Sequence, residues 1–180
     1  MKLSKFRLAG SLFIVLLLAA RGLLAQPAQA DPDNVKTAYL LNFLRYTNWP
    51  VSGASGPSQP LNVCVLDAAV LGGRIGALQG RGVGSRIIEV KSLSEISAVR
   101  QCQLVFVAAA QARRLPEVVR QIKGHAVLLV SDVPDAGRSG AAIELLEAED
   151  RIRMIVNRQN AEQAGITFSA QLLKLALAVY

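Results

Sequence analysis

Four short apolar runs, spaced too widely for hairpins, constrain this 180-residue chain more than any other feature. They cover residues 61–67, 85–91, 104–108 and 126–132. The intervening stretches at 68–78, 94–100 and 115–123 have helical length and partial helical periodicity. Strands separated by such segments are joined by right-handed crossovers into a largely parallel sheet. The 104–108 run, Leu-Val-Phe-Val-Ala, has no polar position, which marks a strand covered on both faces and therefore central. The expected fold class is thus α/β, a single domain with helices on both faces of the sheet.

The ends of the chain follow other patterns. Residues 142–146 and 152–156 form two β-like runs around the polar stretch Glu147 to Arg151, which predicts a hairpin. Asn157 is placed to cap a helix that Gly165 ends, and Ser169 starts a last helix with Leu172, Leu173, Leu175 and Ala176 as its apolar face. A C-terminal hairpin plus helices therefore completes the domain. Asp31-Pro32 opens an earlier helix, with Val35, Tyr39, Leu40, Phe43 and Leu44 at helical spacing and a stop at Trp49-Pro50. Residues 51–60, rich in Ser, Gly and Pro, read as a loop.

Residues 1–30 have the three parts of a secretory leader. Lys2, Lys5 and Arg7 precede an apolar run from Leu12 to Ala20, and Ala28-Gln29-Ala30 offers a small-x-small cleavage site. Arg21 interrupts the apolar run short of the roughly 20 residues that a membrane span needs. The expected division is a signal peptide over 1–30 and one domain over 31–180. Loss of Lys2, Lys5, Arg7 and Arg21 takes the net charge from +7 to +3. The basic balance thus belongs largely to the leader and gives no support for nucleic-acid binding. In an oxidising compartment Cys64 and Cys102 leave two alternatives, one bridge or two buried thiols.

Residues that could carry chemistry are few. Gly80-Arg81-Gly82-Val83-Gly84 is followed by a strand, whereas a phosphate-binding loop is followed by a helix, so it reads as a turn. The single histidine, His125, cannot build a metal site, and it shares its strand with Ser131 and Asp132, which is poor geometry for a catalytic relay. Glu144, Glu147, Glu149 and Asp150 read as a solvated hairpin edge without calcium-loop spacing. Asp67, Ser131 and Asp132 fall at carboxyl ends of predicted parallel strands, where open α/β sheets place ligands, and make a candidate small-molecule crevice. No catalytic set, metal or cofactor is expected.

The stretch Tyr39-Leu40-Leu41-Asn42-Phe43 running to Trp49-Pro50, soon after a leader, resembles the opening of the YfiR family of periplasmic proteins. The tail resembles it too, in Ile152 to Asn157, Ala161 to Ile166 and Ser169 to Ala176. The resemblance spans residues 31–180. It implies a Cys64–Cys102 disulfide, and it departs from the family in lacking a second cysteine pair and in having Ile143-Glu144-Leu145 where Ile-Asn-Phe is usual. It further implies a periplasmic repressor that binds the periplasmic domain of an inner-membrane diguanylate cyclase, or of a sensor kinase, and so controls cyclic-di-GMP signalling. An outer-membrane lipoprotein is a further expected partner and a homodimer a possible state; nucleic acid is not expected. Arg45, Tyr46 and Trp49, at the end of the opening helix, are the candidate partner-binding residues. A periplasmic small-ligand module is the alternative, and a secreted hydrolase is disfavoured by the isolated histidine.

Overall fold

The computed structural model describes residues 30–50 and 59–180. The expected signal peptide and most of the Ser/Gly/Pro loop lie outside the described residues. Helix α1 runs Pro32–Tyr46 and opens as the sequence predicts: Asp31 caps it by accepting a hydrogen bond from the Asp33 N–H, with proline in the first turn. It stops earlier than Trp49, because Thr47–Asn48 becomes strand β1 and pairs antiparallel with a late strand, Thr167–Phe168.

Among the described residues the main sheet has eight strands. In chain order they are β2 (Leu61–Val65), β3 (Gly82–Val83), β4 (Arg86–Ser92), β5 (Leu104–Val107), β6 (Leu128–Ser131), β7 (Ile143–Ala148), β8 (Arg151–Val156) and β10 (Ala178–Val179), with β9 the Thr167–Phe168 partner of β1. Their spatial order is β10-β8-β7-β6-β5-β2-β4-β3. Pairing is parallel from β4 across β2, β5 and β6 to β7, and again between β8 and β10. Within the main sheet, among the described residues, β3–β4 and β7–β8 are the antiparallel pairs. The expected largely parallel sheet, with β5 near its centre, is what forms.

Side-chain alternation divides the core into two layers. Leu61, Val63 and Val65 of β2, Leu104 and Phe106 of β5, and Leu128 and Val130 of β6 face α1 and its Leu40, Phe43 and Leu44. Cys64, Val105, Val107 and Leu129 point the other way, toward Leu115, Val118 and Ile122 of helix α2 (Leu115–Ile122). Helices thus cover both faces.

Local details depart from the sequence reading. The predicted helix at 68–78 is a 3-10 segment, Val70–Leu78, broken where Leu71, Gly72 and Gly73 take positive φ. Those glycines remove the steric barrier to a left-handed kink, so the chain turns instead of winding on. The 94–100 helix is also a 3-10 segment, Ile96–Gln101, preceded by Glu95 without a side-chain cap, so Ser94 is not its cap. The five-residue polar turn tightens to two residues, Glu149 and Asp150, both at positive φ between the paired Ala148 and Arg151. That is the conformation whose twist matches a two-residue hairpin.

Helix α3 (Arg158–Gln163) is capped by Asn157, which accepts from the Asn160 N–H, and Gly165 follows it at φ +69°. Helix α4 is only Ala170–Leu173; Ser169 caps it, yet of its predicted apolar face only Leu172 is buried and Leu175 is 62% exposed. The chain leaves the helix there to add the unpredicted strand β10 at the sheet edge. Among the described residues no helix is long and apolar enough to cross a membrane.

Candidate functional site

Cys64 and Cys102 are joined by a disulfide with 6.0 Å between their Cα atoms. Cys64 lies within β2 and Cys102 closes the Ile96–Gln101 segment, so the bond ties that segment to the sheet. Both cysteines are buried in the α2-side layer.

The end of α1 presents a mixed surface. Arg45 is exposed, along with Asn42, while Tyr46 and Trp49 are half-buried against the α1-side core. The Trp49 indole Nε1 donates to the Gln103 carbonyl at 3.3 Å, and the Tyr46 carbonyl accepts from the Ser169 N–H. Tyr39 is half-buried too, its ring 5.7 Å from that of Phe43 and its hydroxyl donating to the Ile152 carbonyl. Packing and backbone hydrogen bonds anchor these aromatics, and Arg45 is the one of the three candidate residues that is exposed.

Asp67, Ser131 and Asp132 do not share one crevice. Ser131 is completely buried; its hydroxyl donates to the Val107 carbonyl and accepts from the Val133 N–H, so its hydrogen-bonding capacity is spent on the fold. The Asp132 carboxylate accepts from the Ala109 N–H through one oxygen and pairs with Lys36 of α1 through the other. It lies in a groove of about 440 Å³ with Glu144 and Glu147. Only Asp67 lines the larger cavity, about 960 Å³, at the carboxyl ends of β2, β4 and β5. The Asp132 carboxylate is engaged by Lys36 and by the N–H of Ala109, where the Ala109–Arg114 segment begins.

Glu144 is corrected from a solvated edge residue to a buried one, 7% exposed. Its two oxygens accept from the Asp135 and Gly137 N–H groups, each at 3.0 Å. Asn157 and Asn160 both donate to the Gly137 carbonyl at 2.9 Å, and together these side chains pin the loop that follows β6. No periodicity signals this network, because its members lie in three separate elements. Lys36 was missed as the partner of Asp132 for the same reason: 96 residues separate them. Ser92, Ser94, Gln111, Arg113 and Arg114, which line the cavity with Asp67, were also missed. Ser92 is the carboxyl-terminal residue of β4, a position where open α/β sheets place ligands.

The Arg86 guanidinium, pushed below its ordinary range by burial, donates to the carbonyls of Gln59 and Pro60 and serves the entry to β2. His125 is exposed just beyond α2. Among the described residues no group of three His, Cys, Asp or Glu side chains is placed to hold a metal ion.

One known structure shares the fold at low sequence identity. A conserved domain protein from Vibrio cholerae O1 biovar eltor is similar with a TM-score of 0.54 at 10% identity, over 83% of this chain and 60% of that one. A Streptococcus pneumonia structure described as an ABC domain in complex with L-Trp matches with a TM-score of 0.49 at 9% identity, over 67% of this chain and 55% of that one. The chain therefore spans less than two thirds of either. No curated protein matches. A family model described as YfiR/HmsC-like matches residues 33–177, from the first turn of α1 to the residue before β10, and so takes in both the disulfide and the α1 surface. This chain belongs to the YfiR/HmsC-like family.

Proposed function

We propose that this protein works in the periplasm as a regulatory binding protein. It docks on the periplasmic domain of an inner-membrane diguanylate cyclase, or of a related sensor kinase, and holds it inactive. The observation that carries the reading is the family match across residues 33–177. The Cys64–Cys102 bond supports an oxidising compartment, where such bonds persist. The activity is one of binding: affinity for the inactive state of the partner draws its population there. An outer-membrane lipoprotein that sequesters the protein would release the cyclase.

Arg45, with the exposed edges of Tyr46 and Trp49, is the proposed contact, since arginine and aromatic residues dominate binding energy at interfaces. Capture of inner-membrane proteins on immobilised purified protein, with cellular cyclic-di-GMP measured in parallel, tests both parts. Arg45→Ala and Tyr46→Ala should fold normally, weaken capture of the cyclase or kinase by about ten-fold or more, as hot-spot truncation does, and raise cyclic-di-GMP where the partner is a cyclase. Normal capture and repression by both variants would move the interface elsewhere. Failure of the parent protein to capture any cyclase or kinase would overturn the regulatory reading itself.

A further inference from the structure

The order β4-β2-β5-β6 has the chain cross from β2 to β4 on one side and then return past β2 to β5 on the other. Neighbouring strands whose connections leave in opposite directions open a gap at their carboxyl ends, which is where open α/β sheets bind ligands. The 960 Å³ cavity lies at this switch point. Its wall brings together Asp67 after β2, Ser92 and Ser94 at the end of β4, and Gln111, Arg113 and Arg114 after β5.

These groups are available for a ligand. Neither serine hydroxyl is engaged by another described residue, nor is the exposed Arg113 guanidinium. Arg114 donates to the Leu66 carbonyl, which places its guanidinium over the end of β2. The Gln111 Oε1 is buried and has no hydrogen-bond partner among the described residues, an arrangement that costs free energy until a donor arrives. Two guanidinium groups against one carboxylate give the wall a net positive charge, and a guanidinium fork matches a carboxylate or phosphate.

We infer that this crevice binds a small molecule bearing an oxyanion, held by Arg113, Arg114 and the hydroxyls of Ser92 and Ser94. A hydrogen-bond donor on the same molecule satisfies Gln111 Oε1, and the free oxygen of Asp67 is a second acceptor for it. The Asp67 Oδ1 is occupied by the Ala69 N–H. The inference is independent of the partner surface on α1.

The test is a titration of the purified protein followed by backbone amide NMR. The probes are L-glutamate, which carries carboxylates and an ammonium donor, and inorganic phosphate, with choline chloride as the cationic control. Saturable shifts at 92–94 and 109–114 with glutamate indicate a carboxylate ligand, and the same with phosphate a phosphate ligand. Choline chloride at matched ionic strength should leave these amides unmoved. Arg113→Ala, which removes no structural hydrogen bond, should weaken the binding at least ten-fold with an unchanged circular dichroism spectrum. Serine 92 provides a second variant, Ser92→Ala, expected to weaken binding several-fold. Absence of saturable shifts with both anions, or shifts equally strong in both variants, overturns the inference.

Discussion

The two faces of the sheet are built from the same strands and held by different means. The face toward α1 takes the large side chains, Phe43 and Phe106 among them, and draws cover from α1, the Val70–Leu78 segment and the C-terminal elements. The face toward α2 is made from smaller aliphatics and alanines, with the Cys64–Cys102 bond among them and no aromatic among its buried described residues. A thin layer has less apolar area to remove from water, and the hydrophobic contribution follows that area. A covalent link that closes a loop with a sequence separation of 38 acts on the unfolded chain instead, and does not depend on area. One side of the sheet is thus stabilised by burial and the other by burial plus a constraint.

The contrast can be broken from either side. Phe106→Ala should have the largest effect, destabilising by about 3–5 kcal/mol in urea unfolding, because it empties a fully enclosed site. Removal of the bridge by Cys64→Ala with Cys102→Ala should cost about 2–4 kcal/mol. If that variant unfolds at the parent's urea midpoint, the α2 face does not rely on its constraint and the contrast fails. Val105→Ala, on the same strand as Phe106 and facing the other way, should cost about 2 kcal/mol. A penalty as large as that of Phe106→Ala would mean the two layers are packed alike.

Much of this organisation is legible in the chain because the period of an apolar run survives folding. The parallel strands, the caps at Asp31, Asn157 and Ser169, and the hairpin follow from local pattern. What local pattern cannot supply is pairing between distant polar groups. Glu144 is the single polar residue between Ile143 and Leu145 and reads as solvent-facing, yet the loop at 135–137 supplies two N–H groups that pair its carboxylate. The crevice was legible only at Asp67. Asp132 ends an equivalent strand, but its partners Lys36 and Ala109 come from elsewhere in the chain. The end of the last helix was hidden because Leu175 and Leu177 continue an apolar pattern while remaining exposed.

The anchoring of Trp49 has an optical consequence. It is the only tryptophan in the chain, and its indole N–H is held by the carbonyl of the residue immediately after Cys102. Indole emission responds to hydrogen bonding and solvent exposure, so its intensity and wavelength report on the joint between the opening helix and the bridged segment. The protein carries its own fluorophore at that joint. A change in the bridge, or a partner settling on the nearby Arg45, can be followed without attaching a dye.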